Sequence, residues 1–354
     1  MVKLLPVLAF LLVLPGPVIA GEKELTVENV RRAVEGGLRI VQKGARNYPE
    51  NRNCFSCHHQ TLPMLAMREA SDAGLVIDKD LFIEQGLFSR ESFEERLDSV
   101  AKGKSVGGRS LTAAYLLWAF ELGEKAKDEF SDAFVSYILH QQKEDGHWDV
   151  QTNRPPSEES RIHTTFLATY YTEYFARGED IAKKVEVAGN KARSWLFAST
   201  PHSQEDHVGR YKALLTLGGT PAGVNDARQA ILKGQRDDGG WSQLPGMESD
   251  AYATGLTLHA LAAGRAGEAR SPKLERAITR AQNYLLRTQE KDGSWFVKSR
   301  SKPIQKLFDN GDPHGKDQFI SMAATGWATA ALARAGIPRE EDPDAANPQG
   351  KRPD

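Results

Sequence analysis

The sequence predicts an all-α protein: six outer–inner helix pairs arranged in a ring. Three observations lead there. A short motif recurs three times at the ends of amphipathic helices. Nearly all-apolar helices alternate with them, and the period-2 alternation of strands is almost missing.

The repeated segments are YILHQQKEDGHWD (Tyr137 to Asp149), AILKGQRDDGGWS (Ala230 to Ser242) and YLLRTQEKDGSWF (Tyr284 to Phe296). Each holds a Gln, three residues, a Gly, one residue, then a Trp. The glutamines are Gln142, Gln235 and Gln289; the tryptophans are Trp148, Trp241 and Trp295. Gly146, Gly239 and Gly293 fall where a helix ends and a left-handed residue is wanted, which suits glycine. Repetition of this kind governs the whole fold.

The alternating helices are rich in Ala, Leu and aromatics and begin near a threonine: SLTAAYLLWAFELG from Ser110, IHTTFLATYYTEYF from Ile162, DAYATGLTLHALAAG from Asp250 and SMAATGWATAALARAG from Ser321. Apolar all round, they belong inside, whereas the Gln-bearing helices carry a charged outer face. Weaker inner copies start at His58 and His207. Outer helices are predicted at about 27–44, 80–102, 128–142, 185–199, 225–236 and 272–289. An open solenoid could use the same pairs, but six pairs close naturally into a ring.

The Q-x-x-x-G-x-W segments resemble the repeats of squalene/hopene-type triterpene cyclases. The alternating helices resemble the (α/α)6 toroid that those enzymes share with protein prenyltransferase β-subunits. The resemblance covers about Val27 to Gly336 and implies a structural role for the glutamines and tryptophans, which knit neighbouring repeats together in that family.

The family's chemistry does not follow automatically. Its proton donor is the middle aspartate of D-x-D-D-T at the head of an inner helix. Aligning threonines puts Asp250-Ala251-Tyr252-Ala253-Thr254 on that motif, so Tyr252 stands at the donor position. A phenol is far too weak an acid to protonate an alkene. The Asp, Cys and His zinc ligands of the prenyltransferases are not recovered either, because both cysteines lie in the first repeat. Asp250, Tyr252 and His163 remain the weak catalytic candidates. Asp250 also suits a helix N-terminus, where a carboxylate is favoured, and His163 suits a satisfied polar position at a helix start.

Lys3, the apolar run Leu4 to Leu14 and Val18-Ile19-Ala20 together read as a secretory signal peptide over residues 1–20. The run is shorter than the roughly 20 residues of a membrane span. The mature chain is therefore expected to be secreted or periplasmic. The tail, residues 337–354, is proline-rich and charged, and is expected to be disordered. Lys+Arg 46 against Asp+Glu 47 gives a net charge of -1, with no basic run to recruit nucleic acid or an anionic membrane.

The chain's 2 cysteines sit together in NRNCFSCHHQTLPML, Asn51 to Leu65. Cys54 and Cys57 allow a redox disulfide, part of a zinc site needing further ligands, inert packing, or c-type haem attachment through C-x-x-C-H. Histidine makes up 9 of 354 residues, so one follows a given C-x-x-C by chance about once in forty. Haem c is the favoured reading: thioethers at Cys54 and Cys57, with His58 as the iron ligand. Secretion agrees with it, since this haem is attached outside the cytoplasm. Candidates for the second axial ligand are His163, His207, Met64 and Met247; Met64 and Met67 also read as core. Matching Thr61 to the other threonines places Cys57 and His58 at one mouth of the ring with Arg109, Arg161, Asp250 and His163.

The function expected is a secreted toroid carrying one covalent haem, for electron transfer to a redox partner or for oxidation. The alternatives are a haem-free terpene cyclase-like enzyme acting on an isoprenoid, and a non-enzymatic toroid binding a hydrophobic ligand or a protein.

Overall fold

The computed structural model describes residues 24–151, 154–263, 271–302 and 307–338. The expected signal peptide and nearly all of the expected tail lie outside them.

The chain is an all-α (α/α)6 toroid, with no strand among the described residues. The outer layer is α1 (Val27–Asn51), α3 (Lys79–Glu94) with the short α4 (Leu97–Ala101), α6 (Glu129–Gln141), α8 (Glu179–Ala198), α10 (Pro221–Lys233) and α12 (Pro272–Thr288). The inner layer is α2 (Thr61–Asp72), α5 (Arg109–Leu122), α7 (Arg161–Phe175), α9 (Gln204–Thr216), α11 (Ala251–Ala262) and α13 (Gln318–Gly336). Each inner helix packs on the next, and α13 returns to α2. The ring is closed, and the open solenoid is excluded.

Local chemistry sets the boundaries. The Ser203 hydroxyl and the Asp206 carboxylate form a reciprocal capping box that starts α9 at Gln204, ahead of the expected His207. Thr220 caps α10 and Pro221 opens it, where proline's missing N–H costs nothing. The expected outer helix at 80–102 is instead two helices, α3 and α4. α8 begins at Glu179, six residues before the apolar pattern that predicted it. Pro63 sits in the first turn of α2, where it is tolerated.

The three Gln–Trp segments are the joints of the outer layer. Gln142 Nε2 donates to the carbonyls of Gly146 (3.0 Å) and Ala188 (2.8 Å). Gln235 does the same to Gly239 and Ala277, and Gln289 to Gly293 and Ala33. The last of these ties α12 to α1 and closes the outer layer. Each tryptophan is 0% exposed. Its indole N–H donates to a carbonyl of its own outer helix, at Ile138, Ile231 or Leu285. Its backbone N–H donates to the hydroxyl of Thr165, Thr254 or Thr325 on the inner helix. The threonines visible in the sequence are therefore the inner half of each joint. Gly239 has φ +92°, and a Cβ there would stand 2.5 Å from the Arg280 carbonyl oxygen. No other residue fits that position.

Aromatic side chains fill the middle of the ring. Trp118 stacks on Tyr115 (5.7 Å between ring centres) and on Tyr171 (6.2 Å), and meets Trp327 at 5.8 Å. This plug separates two mouths, one at the N-termini of the inner helices and one at their C-termini.

Candidate functional site

The near mouth is built from inner-helix N-termini and the loops that precede them. Between α1 and α2, residues 52–60 form a tight turn. Ser56 N–H donates to Gln60 Oε1 (2.8 Å), and Leu62 N–H to the Cys57 carbonyl (2.9 Å). The two adjacent histidines divide their tasks. His59 is 0% exposed, stacked on Tyr48 at 4.5 Å, with Nε2 2.7 Å from Asp312 Oδ2. Asn310 Nδ2 stands 3.2 Å from the same nitrogen. His59 thus pins the turn to the loop before α13. His58 is left half-buried against Phe319, 5.3 Å between ring centres.

Cys57 and His58 share the wall of one recess of about 180 Å³. Leu307, Phe319, Ile320 and Pro155 supply its apolar surface, and Arg154, Lys302 and Lys316 bring positive charge. Both cysteines are free thiols; Cys54 is exposed and Cys57 half-buried. Burial, with the Glu158 carboxylate nearby, pushes the Cys57 thiol up to about 12. Such a thiol is a poor redox nucleophile, unlike the low-pKa cysteine of C-x-x-C oxidoreductases. Burial, then the neighbouring His59, holds His58 well below the ordinary histidine value, so its imidazole is neutral. Its Nδ1 lies 3.9 Å from Cys57 Sγ. Among the described residues, no group of three His, Cys, Asp or Glu side chains is arranged to hold a bare metal ion.

Deeper in the same mouth lies a polar cluster centred on Glu205, which the sequence reading missed. Glu205 is 4% exposed and His163 1%. Tyr252 Oη donates to Glu205 Oε1 (3.3 Å), and His163 Nε2 stands 3.9 Å from that oxygen, beyond hydrogen-bond reach. Glu205 Oε2 and both His163 nitrogens make no hydrogen bond. Burial, reinforced by the Asp206 charge, raises the Glu205 carboxyl well above its ordinary range. Burial takes His163 down to about 3. Burial thus favours the neutral form of each group. The cavity beside Glu205 is only about 10 Å³, room for one water at most. The Ser203–Asp206 capping box puts Glu205 second in α9, and Tyr252 is second in α11, so the two sit at the same level on neighbouring inner helices.

The other expected residues are spread. Asp250 is the N-cap of α11, its Oδ1 accepting from Ala253 N–H (2.9 Å), and burial raises its carboxyl to about 6. Arg109 and Arg161 open α5 and α7 at this mouth, and Arg161 Nε pairs with Asp149 at 2.7 Å. His207 and Met247 are partly exposed. Met64 and Met67 are fully buried core; the Met64 methyl lies beside Gly86 and Gly123, between helices.

No protein-family model and no curated protein sequence matches the chain. Solved structures do. A glycosidase variant aligns with TM-score 0.57 and 11% identity, over 88% of this chain and 98% of its own. The type II terpene cyclase MstE from Scytonema, as a variant bound to its product merosterolic acid A, aligns with TM-score 0.54 and 12% identity, over 88% and 98%. A protein from Actinoplanes gives TM-score 0.50 and 15% identity, over 84% and 99%. At these identities the likeness is one of fold: the chain is a helical toroid of the terpene cyclase and glycosidase kind.

Proposed function

We propose that the protein is a secreted toroid that carries one c-type haem at its near mouth, for electron transfer or oxidation. The observation that carries this reading is the shared recess: Cys57 and His58 lie on one wall, and the second thiol of the motif, on Cys54, is exposed and outside any disulfide, 3.5 Å from Tyr48 Oη. Cys54 and Cys57 would hold the vinyl carbons as thioethers, and His58 would be the iron ligand. The residues fit such a group. Phe319, Leu307 and Ile320 suit a macrocycle face, and Lys302 and Lys316 suit its two propionates, Arg154 being paired with Glu158 on the same wall. The recess is smaller than the roughly 300–1,000 Å³ of an enclosing ligand pocket, so the group would be held at the rim. When bound, a haem supplies one-electron chemistry. The protein's part is to hold a neutral imidazole and a low-polarity wall beside it.

The test uses protein made in a secreting host with haem-maturation machinery. Cys54→Ala together with Cys57→Ala is expected to leave no covalently bound haem, and His58→Ala to alter the absorption spectrum or block maturation. Unchanged covalent haem in the double-cysteine variant would refute the assignment.

A second reading rests on Glu205. Its unpartnered Oε2 beside an unpartnered His163 is an acid–base pair with nothing in the fold to satisfy it. A carboxyl with a raised pKa is a weak acid, suited to general acid or base work on oxygen or nitrogen rather than to protonating an alkene. With Tyr252 at the cyclase donor position, and space for only one water beside Glu205, purified protein is expected to give no hopene-like product from squalene. Such a product above a boiled control would reinstate the cyclase alternative.

A further inference from the structure

The mouth at the opposite end of the ring holds a pocket of about 380 Å³ to which all six inner helices contribute. That volume lies within the usual range for a small-molecule site. Its walls include Leu65, Trp118, Phe166 and Tyr170, a largely aromatic surface. Charged side chains also line it, and most are already engaged. Glu69 Oε1 accepts from Arg334 Nε (2.9 Å) and lies 3.0 Å from His259 Nε2. Arg68 donates to the Leu122 carbonyl (2.8 Å) and to Glu124 (2.6 Å). Glu121 accepts from Tyr171 Oη (3.0 Å), and burial raises its carboxyl.

Lys212 is the exception. Its Nζ lies 5.3 Å from the Trp118 ring centre and 5.1 Å from that of Phe166. It forms no ion pair and no side-chain hydrogen bond among the described residues, although it lines the pocket. An ammonium between two aromatic faces gains some cation–π attraction, but each of its three donors still wants an acceptor. Burial, then the Arg334 charge close by, brings its pKa down to about 8, against the opposing pull of the Glu121 and Glu69 carboxylates, neither of which pairs with it directly.

We propose that the far mouth is a second ligand site, taking a small organic monoanion with its carboxylate on Lys212 and its apolar or aromatic body against Trp118, Phe166 and Leu65. The C-terminal ends of the inner helices carry partial negative charge at this mouth. A bare inorganic anion is therefore disfavoured, and the apolar body is what brings the carboxylate in. The ligand's carboxylate provides the acceptor that the fold does not.

Isothermal titration with 4-phenylbutyrate, its neutral amide and inorganic phosphate tests this on the full chain. The carboxylate is expected to bind, and the amide to bind about tenfold or more weakly, as for loss of one charge-assisted hydrogen bond. Phosphate is expected not to bind. Lys212→Met, checked for native circular dichroism, should lower the carboxylate's affinity by a similar factor. The acid–amide comparison needs no variant, so a misfolded Lys212→Met would not remove the test. Equal binding of acid and amide, no binding of the acid, or full affinity in folded Lys212→Met would each overturn the proposal.

Discussion

The Gln–Trp joints and the near mouth use the same kind of material, buried polar side chains at helix ends, to opposite effect. At the joints the donors are matched: glutamine N–H to two carbonyls, indole to a third, tryptophan backbone N–H to a threonine. The same geometry recurs three times. At the near mouth His163 and Glu205 are as deeply buried, yet three of their polar atoms have no partner. Buried unsatisfied groups cost stability and are rare in native folds. The joints are satisfied by the ring itself, whereas the mouth keeps polar atoms free for a water, a ligand or a reacting group.

The largest effect is expected at a joint. Trp241→Ala removes a fully buried indole and should cost about 3–5 kcal/mol in urea denaturation. A loss below about 1 kcal/mol would mean the joints do not hold the ring.

The mouth should behave in the opposite sense. Folded Glu205 keeps a proton that the unfolded chain releases above its ordinary value of 4.5. Above that pH the native state binds more protons than the unfolded state, so stability falls as pH rises toward the raised native pKa. Glu205→Gln should remove that slope and make the protein more stable than wild type at neutral pH. Denaturation midpoints measured across the pH range check it; parallel curves for the two proteins would deny that the carboxyl is held neutral.

Smallest of all should be Asp250→Asn. Asparagine caps a helix about as well as aspartate and keeps an oxygen for Ala253 N–H. A loss no greater than about 0.5 kcal/mol is expected, and because burial raises the Asp250 carboxyl to about 6, any change at neutral pH should be a gain. Any larger loss of stability would give Asp250 a role beyond its helix.

The ring was legible because its information is local and repeated. Gln235, Gly239 and Trp241 are close in sequence, and each outer helix carries its own periodicity. The meeting of Glu205, His163 and Tyr252 was not legible, since it depends on the rotation of three inner helices about the ring axis. Helices that are apolar all round give no facing signal, as the uniformly buried α11 illustrates. His59 was hard to read for a similar reason: its partners, Asn310 and Asp312, lie some 250 residues away. The C-x-x-C-H motif was visible at once and its spacing named His58, but what becomes of the adjacent His59 was not legible. Geometry separates them, pinning His59 and leaving His58 on the recess wall.

A haem at the near mouth would show itself in the intact mass and absorption spectrum of mature protein from a haem-competent secreting host. The expected result is the polypeptide mass plus one haem, together with a Soret band that survives acid–acetone extraction. A mass equal to the polypeptide alone, with no Soret absorption, would contradict it.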